Sequence, residues 1–181
     1  MAGGLNGGAL VGRQAIMEVF EPAHHAAGQR TWTVPHPGTF NANPLSAAAG
    51  IAALQILATG EPTKRAQEMT AMLIEEINAM LTQHGVPGCA YGRASIFKTF
   101  IGAEAPRITR YDFSNVHDDT RTLVQGPPHV GVLRQGMLLN GVDLMRAAGF
   151  VSEAHTSSII EETVEAFERT IVRMQHEGFL A

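Results

Sequence analysis

Two stretches carry residue types that could do chemistry. His36-Pro-Gly-Thr-Phe-Asn-Ala-Asn-Pro44 sets a glycine, a threonine and two asparagines directly ahead of a helix. Gly38 permits close approach to the backbone, Thr39 offers a hydroxyl and an amide, and a helix N-terminus follows. Together these can hold an anion such as a phosphate. An ordinary Gly/Asn loop running into a capped helix accounts for the same residues, and spacing leaves both readings open. The second stretch is the opening, where Gly3, Gly4, Gly7 and Gly8 crowd the first eight residues. Glycines this dense serve positive φ angles or close backbone contact, which frayed termini rarely need. The segment reads as the interior of a larger fold.

Other candidates fall to simpler readings. Eight histidines invite a metal. However, His24 and His25 are adjacent, no histidine pair has the helical i, i+4 spacing, and Cys89 is the single cysteine, so no metal site is expected. Cys89, beside a glycine turn, reads as a small buried hydrophobe. Asp118-Asp119 reads as a solvated loop or helix start, and no serine sits in a glycine-flanked elbow. Only two of the 13 basic residues are lysines, Lys64 and Lys98. Lys64 lies in the first turn of an exposed helix, where a solvated charge is the default. Lys98 lies in a strand between Ile96 and Phe100, either buried on the apolar face or near an edge.

The elements that must position these residues follow from periodicity. Residues 13 to 20 form a short helix, and a long loop over 21 to 43 holds a short strand at 31 to 34. Asn43-Pro44 opens a helix to Leu57, rich in alanine, as a buried helix packed closely by neighbours would be. A second helix starts near Pro62, with its stripe at Ala66, Met69, Leu73, Ile77 and Met80. It ends at Gly85, Pro87 and Gly88. Strands are expected at 95 to 102 and 107 to 113, and Gly126-Pro-Pro breaks the chain. A helix near 130 to 140 is capped by Gly141, and short strands follow at 142 to 145 and 150 to 154. Thr156-Ser-Ser opens the last helix, whose stripe is Ile160, Val164, Phe167, Ile171 and Met174, closed by Gly178. The chain divides near residue 58.

Composition bounds the rest. The 181 residues suffice for a real core, and 13 basic against 17 acidic side chains make no cationic field for nucleic acid. No apolar run reaches the roughly 20 residues of a membrane helix. The start has neither the basic nor the apolar region of a signal peptide, and one cysteine suits a reducing compartment. A cytoplasmic α/β protein is expected.

The stretch from His36 to Gly50 resembles a signature of the class III aminotransferases, and most of all their glutamate-1-semialdehyde aminomutase branch. That signature reads Gly-Thr-Phe/Leu, two variable residues, Asn-Pro and a small-residue helix. The opening from Gly3 to Arg13 resembles the glycine-rich strand segment after the family's catalytic lysine. Gly141-Val-Asp-Leu and Phe150-Val-Ser-Glu-Ala-His-Thr156 resemble the strand pair before its last helix. The likeness spans essentially the whole chain but only about the C-terminal two-fifths of a family member.

The resemblance implies the C-terminal part of a fold-type I transferase dependent on pyridoxal phosphate. Residues 1–58 would be the remnant of the large cofactor-binding domain with a connecting helix. Residues 59–181 would be the small α+β domain, three helices on a small sheet. Family members hold the cofactor through a Schiff-base lysine, an acidic partner of the pyridine nitrogen and a stacked aromatic ring. The resemblance puts that lysine two positions before Met1, so no catalytic residue lies in the chain, which is then inactive alone. Neither Lys64 nor Lys98 matches a family lysine of this kind. What remains is Thr39, whose counterpart reaches the cofactor phosphate of the neighbouring subunit in the family homodimer, with Gly38 beside it and Asn43 capping the helix behind.

The chain departs from the pattern at Met145-Arg-Ala-Ala-Gly149, where aminomutase-like sequences carry a Pro-Ser or Pro-Gly turn. Arg146 there could face a substrate carboxylate, or be a surface arginine beside a turn. The departure leaves ordinary transamination of a small amino compound open beside the aminomutase reaction. The alternative is a non-catalytic assembly module that pairs with a separate N-terminal half.

Overall fold

The computed structural model describes residues 2–20, 34–102 and 129–180. The expected strands at 31 to 34 (all but Val34) and 107 to 113, the Gly126-Pro-Pro break, His24, His25 and Asp118-Asp119 lie outside the described residues. The chain divides into two compact units, Met1–Thr59 and Gly60–Ala181.

Among the described residues the second unit holds three helices and a sheet. We number the first unit's helices α1 (Gln14–Met17) and α2 (Pro44–Leu57), and the second's α3 (Glu61–Gln83), α4 (Val130–Leu139) and α5 (Ser157–His176). The strands are β1 (Gly88–Arg93), β2 (Ile96–Ile101) and β3 (Ala148–Phe150), antiparallel in the order β1-β2-β3. The apolar stripe of α3 is buried as its spacing predicts: Leu73, Ile77 and Leu81 are almost fully enclosed, with Thr70 buried one turn before them. The Thr70 hydroxyl is satisfied by donating to the Ala66 carbonyl at 2.7 Å. On α5 the stripe Ile160, Phe167, Ile171 and Met174 is buried, and the Thr156 hydroxyl accepts from the Ile159 amide as N-cap. Each of these large apolar side chains contributes about 1.5–3 kcal/mol by leaving water.

Helix α3 ends by geometry. Gly85 takes φ +64 and lets the Val86 amide reach back to the Leu81 carbonyl at 2.9 Å, satisfying an otherwise orphaned acceptor. The same six-residue closure ends α4 after Gly141 (Val142 to Met137) and α5 after Gly178 (Phe179 to Met174).

Two strands differ from expectation, for one reason. β1 carries Gly88, which reads as part of the helix end before it, and Gly92, and the two sit opposite Ile101 and Phe97 in the ladder. A Cβ on Gly88 would stand 2.5 Å from the Phe100 carbonyl oxygen, and one on Gly92 would collide with that of Ile96. These glycines allow close strand approach, not a turn. The strands expected at 142 to 145 and 150 to 154 are replaced by β3 between them. Gly149 lies opposite Phe97, and a Cβ there would be 2.5 Å from the Phe97 ring. The small residues are strand residues because they make room for that ring.

In the first unit, α1 runs into a 3-10 turn, Glu18–Phe20, while residues 7 to 13, expected to include a strand, take no strand pairing among the described residues. Helix α2 forms where predicted, but none of its residues is buried: Leu45 is 66% and Ile51 59% exposed. A helix apolar all round demands cover on every side, which the described residues of this unit do not supply.

Candidate functional site

Residues 36–43 form two overlapping turns. The Asn41 amide donates to the Gly38 carbonyl at 3.0 Å, and the Asn43 amide to that of Phe40 at 3.2 Å, with Ala42 at φ +57 between. The Asn41 side chain donates from Nδ2 to the His36 carbonyl at 2.9 Å. The His36 ring meets Phe20 edge-on, centroids 5.6 Å apart. Asn43 then caps α2, its Oδ1 accepting from the Ser46 amide at 3.0 Å. That bond uses one of the helix's open donors, and Pro44 has none. The N-terminus of α2 therefore offers an anion less than its sequence suggests.

Further open donors lie in the turn. Among the described residues nothing accepts from the Thr39 hydroxyl, the Thr39 amide or the Phe40 amide, and Thr39 is exposed. The turn faces a cleft of about 700 Å³ whose wall includes Gly7, Gly8, Gly38, Thr39, Asn43 and Gly50. A Cβ on Gly3 would come within 3.0 Å of Ala49 on α2, so this one of the opening glycines serves close approach to that helix. Among the described residues no lysine or arginine lines the cleft. Its chemistry is that of neutral donors around a small oxyanion, and the residues present fit a phosphate group: two amides, one hydroxyl and a glycine that keeps the approach open.

Gly38 and Thr39 thus stand together in one turn. Arg146 belongs to the second unit. It is exposed in the turn 145 to 148 at φ +63, where Met145 and Ala148 exchange backbone bonds of 2.9 and 3.2 Å. It makes no ion pair among the described residues. Lys64 is exposed on α3, and Lys98 is exposed on the central strand opposite Tyr91 and Ala148. Cys89 is buried in β1. Two strand positions on, Tyr91 has its phenol pushed up, first by burial and then by the field of Cys89. Among the described residues no group of three metal-ligating side chains converges, and no helix is long and apolar enough to cross a membrane. Sequence reasoning missed the Asn41 clamp; its signal is an asparagine three residues after a glycine, closing a turn.

Fold and turn together define an α/β chain with an exposed Gly-Thr turn ahead of a capped helix, joined to an α+β unit. The chain belongs to the class-III aminotransferase family, whose model matches residues 1–164. It is 29% identical to a glutamate-1-semialdehyde 2,1-aminomutase of Methanopyrus kandleri, over 96% of this chain and 37% of that protein. It is 25% identical to the aminomutase of the same name from Hyperthermus butylicus, over 97% of this chain and 38% of that protein. A solved transaminase with PLP bound shares the fold with a TM-score of 0.68 at 23% identity, over 93% of this chain and 35% of that one. The chain therefore spans under two-fifths of the length of these relatives.

Proposed function

We propose that these 181 residues supply the phosphate-contact turn and the small domain of a pyridoxal-phosphate-dependent aminotransferase or aminomutase. Residues 1–58 belong to the C-terminal part of its large domain and 59–181 are its small domain. The enzyme is a cytoplasmic homodimer that moves an amino group between a small amino compound and a carbonyl acceptor. The observation that carries this reading is the Gly38–Thr39 turn, with its open donors beside a glycine-walled cleft, in a chain of the class-III family.

When bound, the cofactor supplies an electron sink for bonds at the amino-bearing carbon. The work of this chain is at the phosphate. Thr39 donates its hydroxyl and amide to phosphate oxygens of the neighbouring subunit's cofactor, and Gly38 lets the group come close to the backbone. Asn43, by capping α2, fixes the end of the turn. Arg146, exposed and without an ion-pair partner among the described residues, takes a substrate carboxylate.

Lys64 and Lys98 are both exposed on the second unit and neither is the cofactor's lysine. These residues are therefore catalytically incomplete by themselves. The test is to express them alone, add pyridoxal phosphate, reduce with borohydride and digest. No labelled lysine and no transaminase turnover are expected. A labelled Lys64 or Lys98 together with turnover would falsify the reading.

A second reading has its own observation. Helix α2 leaves Leu45, Ile51 and Ile56 exposed on several sides, the surface of an assembly module that pairs with a separate N-terminal half. Light scattering after size exclusion separates the two: a stable monomer indifferent to a supplied N-terminal half counts against the assembly module.

A further inference from the structure

We propose that Asn41 is a positioning residue of the phosphate turn, clamping the backbone on both sides of Thr39 so that its donors are held ready for a phosphate group. This rests on the reading of Thr39 given above. Through Nδ2 Asn41 holds the His36 carbonyl, and through its own amide the Gly38 carbonyl, at 2.9 and 3.0 Å. Thr39 lies inside both closures.

Two further observations separate the clamp from ordinary loop-making. Residues 34 to 42 are all exposed, so no packing into a core shapes this turn, and among the described residues no other side chain hydrogen-bonds into it. Gly38 is also shaped by Asn41. Its backbone is outside the left-handed region, yet a Cβ would stand 2.6 Å from Asn41 Oδ1 and 3.0 Å from its Cγ. The carboxamide occupies the space a side chain at 38 would take, so a residue other than glycine there would push Asn41 aside. Donors held before binding lose less entropy on meeting a ligand than donors on a free loop, so the clamp acts on affinity without Asn41 touching the phosphate.

The experiment uses the full polypeptide that contains these residues and titrates it with pyridoxal 5'-phosphate and, separately, with pyridoxal, which lacks the phosphate. The variants are Thr39→Val, Asn41→Ala, Asn41→Leu (near the size of asparagine, without its hydrogen bonds) and the pair Thr39→Val/Asn41→Leu. Circular dichroism reports folding of each. Either Asn41 variant should weaken the phosphorylated compound roughly tenfold and leave pyridoxal binding unchanged. The pair should lose less than the sum of the two single effects, because the clamp acts in part through the hydroxyl that Thr39→Val removes. Equal weakening of the two compounds, or effects of Thr39 and Asn41 that simply add, would overturn the positioning role while leaving the phosphate reading intact. A Thr39→Val protein with undiminished preference for the phosphorylated compound overturns the phosphate reading, and the clamp with it.

Discussion

The side chain of Asn78 pairs with both backbone groups of Ala90: its Nδ2 donates to the Ala90 carbonyl at 2.9 Å, and its Oδ1 accepts from the Ala90 amide at 2.7 Å. Asn78 is on α3, and Ala90 is on β1, one of the two outer strands of the sheet among the described residues. The carboxamide therefore does for the open edge what another strand would do, and ties helix to sheet.

Ala90 is fully buried, so its amide and carbonyl have no water to fall back on. Replacing Asn78 with alanine should cost about 2–4 kcal/mol, the penalty of two buried groups left without partners. Urea unfolding of the second unit measures it. A loss under about 0.5 kcal/mol, the range of an ordinary surface substitution, would mean the edge is held otherwise.

A second close relationship joins α4 to α5. A Cβ on Gly136 would collide with Cγ2 of Thr170, whose hydroxyl donates to the Ala166 carbonyl at 2.8 Å and accepts from Asn140 at 3.2 Å. Threonine is stiff at χ1 in a helix, and turning it away would break both bonds. Gly136→Ala gains about 1 kcal/mol of helix propensity but overpacks the contact, for a net loss of about 1–2 kcal/mol. Adding Thr170→Ser removes Cγ2 while keeping the hydroxyl, and should return most of that loss. Thermal denaturation of the single and double variants decides it.

Much of this fold was legible because helices announce themselves twice, by stripe and by terminus. Leu73 and Ile77, or Phe167 and Ile171, are on one face because their spacing is; Asn43 and Thr156 mark helix starts by side-chain caps, and Gly85 marks an end by the positive φ that closes it. Strands β1 and β3 were not legible. Gly92 and Gly149 are glycines because something across the sheet comes too close for a side chain, and that neighbour is distant in sequence or hidden by a tight hairpin. The site divides the same way. Gly38 and Thr39 could be picked out from residue type, whereas the tie from Asn41 to His36 is a local side-chain bond within an irregular loop, which hydrophobic periodicity does not encode. The exposure of α2 reverses an expectation taken from composition. Small and apolar residues say that a helix wants cover, not where the cover comes from.

The hairpin between β1 and β2 carries a strained position. Ala94, the first of its two loop residues, sits at φ +57, where a Cβ costs about 1–2 kcal/mol and where hairpin loops favour glycine. It is exposed, so nothing is lost by trimming it. Ala94→Gly should raise stability by about 1 kcal/mol after the extra chain entropy of glycine is set against the relieved strain. The melting temperature is the readout, and a fall would show that the loop does not hold this conformation in solution.

Tyr91 should make the second unit sensitive to alkali. Its phenol lies above the ordinary value of 10.0 because burial, and then the neighbouring Cys89, disfavour the phenolate. For an acid raised on folding, the neutral form is the one the fold prefers. The contribution is therefore complete below the unfolded value and is lost as pH climbs through the folded one. Stability should thus fall from about pH 10 upward, and Tyr91→Phe, which cannot ionise, should flatten that part of the profile. The titration can be seen directly. In a Tyr111→Phe background Tyr91 is the remaining tyrosine, and its phenolate absorbance should rise later in the native protein than in urea. Coincident curves would place the phenol in open water and remove the predicted slope.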